Sequence, residues 1–158
     1  MYQHLRTPGL PVEWSAFVWK HRGLEKHKFI TWIMCHSALP VKSKLYQWGV
    51  TSDNVCEVCR EEEEDIDHLF TQCPGARVLW SSILKWLNIQ GDFNNWQSCF
   101  HWLMKKTKGK GKKVVWRATF NALLYHIWIN RNLVVFQMLQ RNPKTIICLL
   151  YTSPSPRD

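Results

Sequence analysis

Apolar residues along this chain recur mostly at spacings of three and four, the period of helices with one face turned inward. Pro11 suits the first turn of a helix carrying Trp14, Phe17 and Val18 on one face, with Gly23 interrupting it. Residues 25–36 predict a second helix, with Phe29, Ile30, Ile33 and Met34 at helical spacing. Pro40 opens a short helix through Trp48, which Gly49 suits as a C-terminal cap. After Pro74 the positions Val78, Leu79, Ile83, Trp86 and Leu87 keep the same period, and Gly91 ends that helix. Residues 95–106 read as another, with Phe100, Leu103 and Met104 on one side. The longest candidate covers residues 114–140, with the stripe Trp116, Phe120, Leu123, Leu124, Ile127, Val134 and Met138. Strand-like alternation is weak and no internal repeat is visible. The expected fold is therefore mostly α: a small helical domain stapled at a loop over residues 50–73, followed by a long C-terminal helix.

A length of 158 residues fits one domain, or two small helical subdomains sharing a core. The expected division is a domain over 11–90, a helical extension with a basic loop over 91–147, and a foreign tail over 148–158. The ten tryptophans are spread too evenly to form one patch, so most are expected in the core. No run of about 18 apolar residues occurs, so no membrane span or membrane partner is expected. The N-terminus lacks the apolar centre of a signal peptide. Six cysteines formally allow a secreted disulfide framework. Three of them cluster, however, which points to an intracellular, reduced setting, cytoplasm or nucleus.

The last eleven residues, CLLYTSPSPRD, follow a helical segment with an unrelated composition. They resemble, in frame and in order, the translation of a tagmentation-type sequencing adapter; a natural Pro-rich linker is the alternative. On that reading Cys148 to Asp158 should pack little, and the natural chain is expected to continue past Ile147.

Chemistry concentrates at Cys56, Cys59, His68 and Cys73, spaced C-x2-C-x8-H-x4-C. A C-x2-C pair offers two thiolates from one tight turn. Asp65 could cap a helical turn through Ile66, His68, Leu69 and Phe70, setting His68 and Cys73 to face back toward that pair. Three soft thiolates and an imidazole suit one Zn2+ better than calcium or magnesium, and a full set of four makes the site structural. Their ligand atoms should then converge within about 4 Å, the tetrahedral edge of a zinc shell. The alternative is four unrelated residues, with Cys73 buried and His68 on the surface. Cys35–His36 and Cys99–His101 are weaker pairs, read more simply as helix cysteines with histidine neighbours. His126 reads as a core-edge histidine. Glu61 to Glu64, with Asp65 and Asp67, reads as a solvated acidic loop between the ligand pairs.

The formal charge is +9; three thiolates and one Zn2+ would bring it to roughly +8. Lys105, Lys106, Lys108, Lys110, Lys112 and Lys113 form the densest basic run, in a Gly/Lys loop over residues 107–113. It is either a phosphate-contacting segment or a flexible, soluble linker. No glycine-rich phosphate cradle follows a strand and no G-x-S-x-G occurs, so neither an enzyme nor a small-molecule substrate is expected.

At this point the sequence resembles the zinc-binding region found C-terminal to the polymerase in plant non-LTR (LINE-type) retrotransposon reverse transcriptases. Trp14 and Trp19 are followed by Lys26, Ile30 and Trp32, then by Leu39-Pro40 with Leu45. Cys56 and Cys59 come next, then Glu64 four residues before His68-Leu69-Phe70, with Cys73-Pro74, Ala76 and Trp80 closing the match. Val41 replaces a usual threonine and Asp65 a common Thr or Ser. Ile127-Trp128-Ile129-Asn130-Arg131-Asn132 with Phe136 is similar to the Ile-Trp-x-x-Arg-Asn helix that often follows this region. The resemblance implies a non-catalytic part of a retroelement polyprotein, lacking polymerase and ribonuclease H residues. It further implies element RNA or target DNA, and the polymerase domain of the same polyprotein, as partners. Two roles stay open: assisting template binding, or a zinc-stapled scaffold that packs on the polymerase and binds no nucleic acid.

Overall fold

The computed structural model describes residues 13–138 and 142–152. Among the described residues seven helices follow in order: α1 (Ser15–Trp19), α2 (Glu25–Cys35), α3 (Lys42–Gln47), α4 (Pro74–Leu87), α5 (Trp96–Lys106), α6 (Lys112–Gln137) and α7 (Pro143–Thr152). A single π turn, His68–Gln72, precedes α4. Among the described residues the only extended pairing is an isolated antiparallel bridge between Val55 and Glu63. The mostly helical expectation holds. Pro11 lies outside the described residues.

Helix α6 is the axis of the fold. Its buried residues, from Arg117 to Arg131, surround the whole circumference rather than one stripe. A helix buried all round must be central, and α1, α2, α4, α7 and the π turn all pack on it. Buried polar groups on α6 fasten its neighbours: Asn121 Nδ2 donates to Phe17 O at 3.0 Å, tying α1 down. This core crosses the expected boundary at residue 90, since Leu79, Trp80 and Ile83 of α4 share it with Phe120, Leu123 and Leu124 of α6.

Several expected faces turn out otherwise. On α2 the buried positions are His27, Lys28, Thr31 and Met34, whereas Phe29 is exposed. On α4 Val78 and Trp86 are exposed, and Ala76, Leu79, Trp80 and Ile83 face inward. Of the ten tryptophans Trp80 and Trp128 are buried, Trp14, Trp96, Trp102 and Trp116 pack half-buried against the core, and the other four are exposed. A central α6 with short helices around it offers too little interior for ten indoles. Asn88, left-handed at φ 55, ends α4 in place of Gly91. Gly91 serves a close approach instead, because a Cβ there would come within 2.7 Å of the Trp102 ring. The long helix begins at Lys112 rather than Val114 and stops at Gln137, leaving Met138 exposed.

Of the expected tail, the described residues Cys148, Leu149 and Tyr151 are exposed as expected, whereas Leu150 packs. Leu150 on α7 is buried, and the exposed Tyr151 ring lies tilted with its centroid 4.9 Å from that of Trp86. Residues 148–151 continue the amphipathic pattern of Ile146 and Ile147, so they extend α7 against α4. The remainder of the tail lies outside the described residues.

Candidate metal centre

The first half of the site is a hairpin-like knuckle. Cys56 N donates to Glu62 O and Glu64 N to Asn54 O, both at 2.8 Å, and Arg60 N returns to Cys56 O at 2.7 Å. Arg60 adopts the left-handed conformation, φ 59, which reverses the chain so that both thiols face one side. Backbone N–H groups of Cys59 and Val58 point at the Cys56 sulfur.

The second half depends on the π turn. Asp65 Oδ1 accepts from His68 N at 2.7 Å, the capping role the sequence predicts. Cys73 N then donates to His68 O at 2.6 Å, closing an i→i+5 ring. In an α-helix residues five apart point roughly 140° away from each other. The wider turn brings Cys73 back beneath His68. Cys73 is also the residue before α4, and the N–H groups of Gly75 and Ala76 bond its sulfur. Gly75 lets the knuckle approach, since a Cβ there would sit 3.1 Å from Val58 Cγ1.

The ligand atoms of Cys56, Cys59, His68 and Cys73 lie within 4.8 Å of one another. Cys59 Sγ is 3.2 Å from His68 Nε2. Cys56, His68 and Cys73 are buried and Cys59 is half-buried, so the reading of His68 as a surface histidine fails. The spacing exceeds the expected 4 Å by less than an ångström, a small closure for a cation to impose. A hydrogen bond between Cys56 and Cys73 pushes the Cys56 thiol up, with burial adding to it, and holds Cys73 below the ordinary thiol range. A polarised, buried thiol pair completed by a thiol and an imidazole fits a closed, soft-donor zinc site. The other cysteine candidates do not converge. Burial pushes the Cys35 thiol up to about 12 and raises Cys99 as well, as inert core cysteines require.

One acidic residue breaks the expected solvated loop. Glu61, Glu62 and Glu63 are exposed, but Glu64 is fully buried against Arg131, with Nη2 to Oε1 at 2.7 Å. The Arg131 guanidinium bonds both carboxylate oxygens, and Glu64 Oε1 also accepts from Lys42 N at 2.8 Å. Lys42 Nζ in turn reaches Glu57 at 2.6 Å and Asp53 at 2.8 Å. The knuckle is thus clamped to α3 and α6. Both Glu64 and Arg131 stand out as motif residues in the sequence, but nothing in a linear pattern pairs them.

The six lysines fall at the junction of α5 and α6. Lys105 and Lys106 end α5, Lys108 and Lys110 lie in the loop, and Lys112 and Lys113 start α6. They are not all free: Lys113 Nζ donates to Lys106 O at 2.9 Å and lies 4.1 Å over the Trp116 ring. No described helix is long and apolar enough to cross a membrane.

Comparison with known proteins places these features. A family described as zinc-binding in reverse transcriptase matches residues 1–80. A protein of Arabidopsis thaliana named "Putative ribonuclease H protein" is 24% identical over 113 residues, covering 70% of this chain and 18% of its own length. The chain therefore spans less than a fifth of that relative. No solved structure matches.

Proposed function

The chain belongs to the family of zinc-binding regions in reverse transcriptases, and from that premise we propose that it staples one zinc ion and helps a retroelement polyprotein hold its RNA or DNA template. The matched family is a non-catalytic zinc-binding one. Cys56, Cys59, His68 and Cys73 are the proposed ligands, and the observation that carries this is their buried convergence within 4.8 Å. The ion would cross-link the knuckle to the π turn, adding to the hold that α6 has on both. Zinc here adds folding energy rather than chemistry.

Template contact is supported by charge placement. Lys112 and Lys113 occupy the first turn of α6, which contains no acidic residue. Cations at the positive end of a helix dipole are unfavourable, and an anionic partner relieves both this and the mutual repulsion of the lysines. Binding through phosphates predicts affinity with steep salt dependence and little sequence preference. A titration of the zinc-loaded chain with single-stranded RNA and DNA at several salt concentrations tests this. Changing the six lysines to glutamine should weaken binding by a large factor and flatten the salt slope while folding is retained. Unchanged affinity and slope would eliminate the template role.

A second reading rests on a different observation. Phe29 and Trp32 stack on the outer face of α2 with centroids 6.1 Å apart and are 54% and 37% exposed. Such a face favours a scaffold that packs on the polymerase.

A further inference from the structure

Arg117 is buried, yet its recorded partners are three neutral carbonyls. Nε donates to Lys20 O at 3.0 Å, and Nη1 donates to Thr107 O at 2.7 Å and to Gly109 O at 3.1 Å. Among the described residues no carboxylate forms an ion pair with it, in contrast to Arg131. Desolvation alone shifts its pKa, downward, with no acid to compensate. Buried charges in proteins are normally paired, because an unpaired one is costly. The guanidinium lies in the wall of a cleft of about 760 Å³ between α1, α5 and the loop after α5. Lys20, Lys105, Lys108 and Lys110 share that wall; Phe17 and Met104 supply an apolar side, and Glu13 is the one acidic residue lining it. Five cations against one carboxylate, around a buried guanidinium lacking a counter-ion, form a strongly electropositive cleft.

We propose that this cleft is a phosphate-binding site, in which Arg117 is the buried anchor and Lys20, Lys108 and Lys110 close around the anion. The carbonyls of Lys20, Thr107 and Gly109 take Nε–H and Nη1 and hold the guanidinium plane in place, which leaves the two Nη2 N–H groups as the donors for a phosphate. Gly109, at φ 132, bends the loop so that it can reach Arg117, a backbone conformation that a side chain would strain. The site adds Arg117 and Lys20 to the six lysines, neither of which the linear basic run contains. It rests on the template reading only for the source of the phosphate; the cleft itself follows from the unpaired Arg117. Free phosphate and a nucleic-acid backbone offer the same chemistry to it.

The test uses the full, zinc-loaded chain and calorimetric titration with inorganic phosphate and with a short single-stranded RNA, at low salt. Lys20→Met leaves the carbonyl that holds Arg117 intact and should weaken both titrations about tenfold; Arg117→Lys, which cannot both satisfy the three carbonyls and offer the Nη2 donors, should weaken them further. Circular dichroism and zinc content of both variants should match the parent. Phosphate binding without RNA binding would keep the site and defeat the template reading. RNA binding that is lost with the six-lysine variant but unchanged in Lys20→Met and Arg117→Lys would overturn the site and leave the template reading standing. Binding of neither ligand by the parent chain would overturn the site. If Arg117→Lys fails to fold, Lys20→Met with unchanged affinity overturns it alone.

Discussion

Arg131 and Glu64, 67 positions apart, form a buried bidentate ion pair that joins the axis helix to the base of the metal knuckle. Glu64 is fully enclosed and its backbone N–H also closes the knuckle onto Asn54. The carboxylate therefore couples the shape of the Cys56–Cys59 turn to a helix outside the matched residues 1–80.

Breaking this pair from one side should be severe. Glu64→Gln or Arg131→Met should each cost about 3–5 kcal/mol in urea unfolding, because one charge is left buried and alone. The double variant should cost clearly less than the sum of the two. Additive losses would mean the two groups are not coupled.

A chain cut after residue 90 tests the same relationship at larger scale. It keeps all four ligand candidates but removes Arg131 and the core of α6. It should bind zinc weakly and lack a cooperative unfolding transition. A sharp transition with tight zinc binding would make 11–90 an autonomous domain.

Acid should weaken the fold through two buried histidines. Burial first, and neighbouring cations next, lower His21 and His27 from 6.5 to about 4. His27 faces His126, Lys26 and His21, and its Nδ1 has no hydrogen-bond partner. Both imidazoles are neutral when folded and charge more readily when unfolded, so their contribution is present above pH 6.5 and is lost as pH falls toward 4. His27→Leu should gain stability over the parent at pH 5 relative to its difference at pH 7.5. Zinc release at low pH affects both proteins alike, so an equal difference at the two pH values would refute the assignment to His27.

The pattern of the sequence carried the helices further than their faces. The ligand set was legible because C-x2-C-x8-H-x4-C is a local spacing, and Asp65 caps its turn as expected. The π turn was not legible, since apolar periodicity does not distinguish an i→i+5 ring from an ordinary one. Glu64 was misread for a related reason: a run of acids looks solvated until a partner elsewhere in the chain is known. The inward faces of α2 and α4 differ from the apolar spacing at Phe29, Val78 and Trp86, which fit the helical period but stay exposed. Position around α6, not hydrophobicity, decides which side of each short helix is buried.

The packed part of the tail makes a modest prediction. Removing residues 148–158 takes Leu150 and Tyr151 off α4. The loss should be about 2–3 kcal/mol, the burial of one leucine and a partial ring. Zinc content should not change, because all four candidate ligands lie in residues 56–73. A shortened chain that no longer retains zinc would contradict this.

X-ray absorption at the zinc edge of the purified full chain, read together with metal content, probes the Cys56–Cys59–His68–Cys73 centre itself. One zinc per chain is expected, with a shell of three sulfurs and one nitrogen at about 2.3 and 2.0 Å. Cys73→Ser should lose the metal or exchange one sulfur for oxygen, and chelation of the parent should lower its stability sharply. A chain that folds and stays stable without zinc, or one whose zinc shell is unchanged in Cys73→Ser, would contradict a structural ion held by these four residues.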